Sequence, residues 1–351
     1  MSTSLKPGSR VLVTGATGYI GTHVVDQFLQ AGYVVIGTSR SAAKAENIRK
    51  YFDEKYGPGK FEIYEAGDLQ EEGVFDGAVK DVEAIAHVAS PVVFATNDPY
   101  KDVINPAVNG TLNLLKSAHE HGKNVKHVVV TSSVASVLEK APDGHVHTEA
   151  DWNDSAIEAV KEAYEKKQNL ENAPAYRASK AEAERALWKF RDEKKPAFTL
   201  TTILPSFVFG AILPPPKNQQ AVEAASTPKF VINYYLGVSK DPSASQGSSS
   251  YVNVVDVARA HVLAVENASK ADGERYITSA RAFSNQETVD ILRRVYPERQ
   301  NVITLGQPGQ YKYPPVTVDG GKITRELGLT YVDFEQTLIQ TIESVKHVYE
   351  Q

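Results

Sequence analysis

The sequence predicts an α/β fold, a doubly wound parallel sheet joined to a smaller, mostly C-terminal substrate domain. Three observations predict it. Short apolar runs alternate with stretches of helical spacing, and several of these runs are apolar throughout, as strands covered on both faces are. A glycine trio also sits between the first run and the first helical stretch.

The elements follow in order. Residues 10–14 form a short apolar strand, and Gly15, Gly18 and Gly21 follow it. Ile20, Val24, Val25, Phe28 and Leu29 then recur with helical spacing until Ala31 and Gly32 stop the helix. Further strands are predicted over 33–38, 61–64, 84–88, 127–131 and 199–204, with helices over 106–121 and 174–191 between them. After Pro205 the character changes. Residues 213–216 and the Ser-rich 242–250 are loop-forming. A helix over 255–267 opened by Asp256, a strand over 274–278 and helices over 287–296 and 334–349 complete the chain. The charged run 158–172 reads as a solvated helix. Residues 1–204, with 251–278 returning, are expected to form the dinucleotide-binding domain, and 205–250 with 279–351 the substrate domain.

Composition narrows the function. With 351 residues the chain can bury a large core, and 42% apolar with 23% charged residues is ordinary for a globular protein. A net charge of −5 argues against nucleic-acid binding. No cysteine is present, which removes disulfides, thiolate nucleophiles and Cys-ligated zinc. No apolar run approaches the ~20 residues that span a bilayer. The first ten residues carry no apolar stretch, so no signal peptide and a cytoplasmic location are expected. A monomer or homodimer is expected, without a membrane partner.

A strand, a glycine turn and a helix in that order cradle a pyrophosphate. Gly15 permits the turn, Gly18 lets backbone approach the phosphates, and Gly21 brings helix and strand together. Thr17, Tyr19 and Ile20 complete the turn, and the phosphates sit at the helix N-terminus. The spacing is G-x-x-G-x-x-G rather than G-x-G-x-x-G. At the end of the second strand stands Arg40, with Lys44 a helical turn later and no carboxylate between. Arginine suits a ribose 2′-phosphate, so NADP(H) is expected over NAD(H). Asp68 and Leu69, after the third strand, are placed to meet the adenine.

Ser133 follows the strand 127–131, at the end of the sheet where ligands bind. A hydroxyl there can hold a carbonyl oxygen. Tyr176 and Lys180, four residues apart on a helix, share a face. An ammonium that close favours the phenolate and makes the phenol a usable proton donor.

Five motifs occur in order: residues 14–21, Asn109 to Thr111, Thr131 to Ser133, Tyr176 with Lys180, and Tyr251 to Asp256. Together they resemble an extended short-chain dehydrogenase/reductase from residue 11 to about 280. His87 to Pro91, Pro106 to Thr111 and Pro205 to Gly210 resemble its dihydroflavonol-reductase-like branch, and most of all the microbial NADPH-dependent carbonyl reductases of the yeast methylglyoxal reductase type. The resemblance implies a Rossmann domain and hydride transfer from NADPH to a ketone or aldehyde. It implies Tyr176 as general acid, Lys180 on the nicotinamide ribose and Ser133 on the carbonyl. Ala89, Ser90 and Pro91 would lie beside the cofactor, and Pro205 and the Val208 backbone would contact the nicotinamide amide. Phe94, Val134 and Phe207 are candidate pocket walls. Val134 departs from the aromatic residue common at that position, and Asn109 matches a proton-relay asparagine loosely.

Two rival readings share the motifs. Sugar-nucleotide epimerases use the same triad, but Arg40 and residues 89–91 argue against them. NADP-sensing regulators lose the tyrosine, which is present here. His145, His147, Glu149 and Asp151 alternate in a Gly- and Pro-containing loop without strong ligand spacing, so a solvated loop without metal is expected.

Overall fold

The computed structural model describes residues 5–90, 98–168, 172–243 and 250–350, the side chains at 42–44 and 172–173 excepted. In chain order, β1 (Arg10–Thr14), α1 (Tyr19–Gln30), β2 (Val34–Ser39), α2 (Ala42–Tyr56), β3 (Phe61–Glu65) and β4 (Ala84–His87) come first. Next are α3 (Asn105–His121), β5 (His127–Thr131), β6 (Val146–His147), α4 (Asp154–Glu165), α5 (Asn172–Lys194) and β7 (Thr199–Pro205). The remainder begins with β8 (Phe207–Phe209), α6 (Gln219–Glu223), α7 (Pro228–Tyr235), β9 (Ser250–Asn253), α8 (Val254–Glu266) and α9 (Ala268–Ala271). It ends with β10 (Arg275–Thr278), β11 (Arg281–Ala282), α10 (Asn285–Val295), β12 (Thr317–Val318), α11 (Gly321–Leu327), α12 (Phe334–Glu343) and α13 (Lys346–Tyr349).

All seven strands expected from the apolar runs join one sheet, in the order β3-β2-β1-β4-β5-β7-β10. Every neighbouring pair is parallel. Side chains alternate across it. Val11 and Val13 face a core with Val24, Val25 and Phe28 of α1 and Ala258 and Val265 of α8. Leu12, Ile85 and Val128 face the other way, onto Leu114, Leu115 and Leu187. The chain runs outward through β2 and β3 and then returns to β4 on the other side of β1. The loops after β1 and β4 therefore part, and the crevice opens there.

A second core gathers Phe209, Tyr234, Tyr235, Tyr251, Phe283, Phe334 and Leu338. It lies under a small sheet in which β9 pairs in parallel with β8 and antiparallel with β11. These short strands lay hidden in a loop-rich stretch. Helix α8 is capped by Asn253, whose Oδ1 accepts the Val255 N–H at 2.9 Å, and not opened by Asp256 as expected. The stretch 334–349 divides into α12 and α13, where the Ser344 hydroxyl bonds the Thr341 carbonyl and competes with the helical ladder. Helix α4 is not wholly solvated either. Ala156, Val160 and Ala163 form a buried stripe against α5.

Candidate active site

The glycine turn is shaped by atoms that are missing. Gly15 has φ +67°, and a Cβ there would stand 2.9 Å from Ala89 Cα. At Gly21 a Cβ would meet the Gly15 carbonyl oxygen at 2.0 Å, so only glycine fits. Gly18 is the N-cap of α1 with extended backbone and no side-chain cap, so no cap side chain takes up the first-turn N–H groups. That cradle fits a pyrophosphate. Tyr19 and Ile20 turn their side chains away, packing with Val208, Val252 and Val257, and the Tyr19 hydroxyl donates to Gly210 O at 3.1 Å. Thr17 is exposed beside the turn.

Thr14, Thr38 and Gly37 fasten this turn, and only the first belonged to a sequence motif. Thr14 Oγ1 accepts the Val88 and Ala89 N–H groups, both at 3.1 Å, and donates its own proton to His87 Nδ1 at 2.8 Å. Burial and then the Lys180 charge push the His87 imidazole down to about 3, so it is neutral at pH 7. Thr38 Oγ1 accepts the Gly15 N–H at 3.2 Å. A Cβ at Gly37 would lie 2.6 Å from Ala16 Cβ. Arg40 is exposed just past β2, without an ion-pair partner among the described residues. Lys44 lies in α2 with its side chain outside the described set. Asp68 is exposed, and Asn113 on α3 holds the next turn by donating to Leu69 O at 3.0 Å and Glu71 O at 3.2 Å.

Tyr176 and Lys180 share a face of α5 as their spacing predicts. Lys180 is buried, its Nζ 5.7 Å from the Tyr176 ring centroid. That ammonium donates to Ser90 Oγ at 2.9 Å. Ala89, Ser90, Ser132, Lys180 and Glu184 line one cavity between the glycine-turn side and α5. Ser133 caps a short helical turn over Val134–Ser136 that packs against α5, and its Oγ accepts the Ala135 N–H at 3.2 Å.

Beneath that turn lies a buried charge pair that no motif announced. Glu184 Oε2 accepts Ser132 Oγ at 2.7 Å and Ser136 Oγ at 2.6 Å, gripping the residues on both sides of Ser133. Its Oε1 accepts Thr202 Oγ1 at 2.9 Å and Arg275 Nε at 2.7 Å. Arg275 continues to the carbonyls of Glu149 and Asp151 and lies 3.7 Å above the Trp152 ring. Burial works to raise the Glu184 carboxyl, but Arg275 and the hydroxyls outweigh it and hold it below its ordinary range. The one available signal was spacing, since Tyr176, Lys180 and Glu184 recur every four residues.

Pro205 ends β7, and the next residue, Ser206, donates its N–H to Thr278 O. The Val208 carbonyl accepts the Thr227 hydroxyl. Phe207 is half-buried beside the rings of Phe209 and Phe230. Val134 is buried with Val137, Leu204 and Ile277. Asn109 is exposed on α3. Pro91 and Phe94 lie outside the described residues. The expectation of a solvated loop at 145–151 needs correction: His147 is 1% exposed, because β6 pairs with β12 and draws it inward.

Residues 11–277 match the NAD dependent epimerase/dehydratase family. The chain belongs to that family. Among similar members, aldehyde reductase 2 of Sporidiobolus salmonicolor is 35% identical over 92% of each chain. The NADPH-dependent methylglyoxal reductase of Saccharomyces cerevisiae is 30% identical over 95% of this chain and 97% of its own. The structure of Gre2 from Candida albicans in complex with NADPH superposes with a TM-score of 0.85 at 32% identity, covering 97% of this chain and 99% of that one. Among the described residues no helix is long and apolar enough to cross a membrane.

Proposed function

We propose that this family member reduces ketones and aldehydes to alcohols with NADPH. The observation that carries the proposal is the position of Lys180, buried between the Tyr176 ring and Ser90, on a loop that Thr14 ties to the glycine turn. The NADPH-dependent methylglyoxal reductase of this family shares most of the chain's length and 30% of its residues. When bound, the reduced nicotinamide supplies a hydride to the carbonyl carbon.

The chain's own residues do the rest. Ser133 Oγ donates to the carbonyl oxygen and orients it. Tyr176 Oη gives that oxygen its proton as the C=O bond becomes C–OH. Lys180 stabilises the phenolate left behind and binds the nicotinamide ribose. The turn from Gly15 to Gly21 holds the pyrophosphate, and Arg40 with Lys44 takes the 2′-phosphate. Asp68 and Leu69 border the adenine, while Ala89, Ser90, Pro205 and the Val208 backbone border the nicotinamide. Phe207 is assigned to the substrate wall with Phe94. Val134, packed in the core, acts on the pocket through the turn that carries Ser133.

This reading divides the molecule into a nucleotide domain, 1–204 with 251–278, and a substrate domain, 205–250 with 279–351. It takes the protein as cytoplasmic and as a monomer or homodimer, and gel filtration of the purified chain tests the oligomeric state. The direct test of function mixes protein, NADPH and a panel including methylglyoxal, β-keto esters and aromatic ketones, and follows nicotinamide absorbance. Substrate-dependent oxidation, slower with NADH, is expected. No oxidation across the panel would overturn the proposal.

A further inference from the structure

The loop between the Val134–Ser136 turn and α4 carries a cluster that the reduction chemistry leaves unused. His145 and His147 flank Val146 on an extended segment, so their imidazoles project to one side. The two rings lie 4.5 Å apart. Asp151 returns to meet them: His145 Nε2 is 3.8 Å from Asp151 Oδ1, and His147 Nδ1 is 3.9 Å from Oδ2. One ligand atom from each residue lies within 4.8 Å of the other two. The His147 side chain is 1% exposed, yet neither ring nitrogen makes a hydrogen bond of good geometry, the Glu139 backbone offering only a weak interaction. Buried polar atoms are rarely left so, because an unmade bond leaves the desolvation of the group uncompensated.

We propose that His145, His147 and Asp151 form a binding site for a single divalent transition-metal ion of the zinc class. Two imidazoles and one carboxylate suit zinc and its neighbours rather than magnesium or calcium, which prefer oxygen alone. Tetrahedral zinc, with bonds of about 2.0–2.2 Å, sets ligand atoms roughly 3.3 Å apart, so these atoms close by no more than about 1.5 Å. Asp151 is already oriented. Its Oδ2 accepts the Thr148 N–H at 2.7 Å and the Thr148 hydroxyl at 3.2 Å, leaving Oδ1 toward His145. Such outer bonds hold a ligating carboxylate in place. Water completes the coordination.

The ion fastens two distant segments. The His145 carbonyl accepts the Thr317 N–H at 3.1 Å and the His147 carbonyl accepts the Asp319 N–H at 2.8 Å. Binding at 145–151 therefore braces the C-terminal strand β12 against β6. The site takes no part in hydride transfer.

The test uses the full chain, stripped of metal by chelator and desalted, and titrated with Co²⁺. One equivalent is expected to bind, with the visible absorption of tetrahedral cobalt, and Zn²⁺ should displace it and raise Tm. His145→Ala, at a side chain 37% exposed, should fold and lose at least about tenfold in metal affinity. His147→Gln and Asp151→Asn should lose the cobalt spectrum. No saturable binding at one equivalent, or equal binding by wild type and His145→Ala, would overturn the site.

Discussion

At the glycine turn, neighbouring residues set the geometry by lacking side chains: a Cβ at Gly21 would sit 2.0 Å from a carbonyl oxygen. Around Ser133 the geometry comes from side chains drawn from distant parts of the chain. Glu184 of α5 grips Ser132 and Ser136 while Arg275 of β10 neutralises it. The first device is local and made of backbone. The second is long-range and made of charge. Nucleotide affinity and proton delivery should therefore fail separately.

Gly21→Ala is the largest break. A clash with backbone has no side chain to give way, so at least about 3 kcal/mol, the upper end for overpacking, should be lost. NADPH binding, followed by fluorescence titration, should vanish or the chain should fail to fold. Glu184→Ala strikes the other region. It leaves Arg275 buried without its counter-charge, at a cost of roughly 3–5 kcal/mol in urea unfolding. The subtler Glu184→Gln should lower kcat while NADPH affinity stays near that of wild type. A matching loss of NADPH affinity would erase the distinction between the two regions.

Arg40→Asp should weaken NADPH by roughly ten- to a hundredfold, since bonds to charged groups contribute about 1.5–3 kcal/mol, and should weaken NADH far less. Equal loss for both cofactors, read as Kd, would remove Arg40 from the 2′-phosphate. The smallest effect at neutral pH comes from buried histidines in both regions. Burial lowers His23 to about 4 and His87 to about 3 on the nucleotide side, and His261, which bonds Thr131, to about 4. Between pH 6.5 and about 4 the unfolded chain takes up these protons and the folded chain does not, so stability falls as pH falls. Asp256, raised by burial to about 6, works in the opposite direction over 3.8 to 6. Burial also raises Glu149, Glu182 and Glu266, but the three histidines, shifted further, outweigh these carboxyls, and Tm should drop in one transition from pH 7 to pH 5. A Tm unchanged over that range would contradict the burial.

What the sequence discloses follows the same division. The seven strands, the glycine turn and the Tyr176–Lys180 face rest on adjacent residues or on one helical repeat, and each is legible. Arg40 past β2 is legible because a strand end fixes its place. Glu184 is not, since its partners Ser132, Thr202 and Arg275 meet it only through the sheet order. The small sheet of β8, β9 and β11 was equally hidden, its strands being too short to show a period. His147 escaped for a similar reason, as only the pairing of β6 with β12 buries it.

The most direct test of the central claim is Tyr176→Phe, measured for NADPH binding and for turnover of a carbonyl that the wild type reduces. The ring, the helix and the Lys180 contact to Ser90 stay, and one oxygen is removed. NADPH affinity should stay close to that of wild type and turnover should fall to background. Retained turnover would contradict proton delivery by Tyr176, and the assignment of this crevice to carbonyl reduction through it.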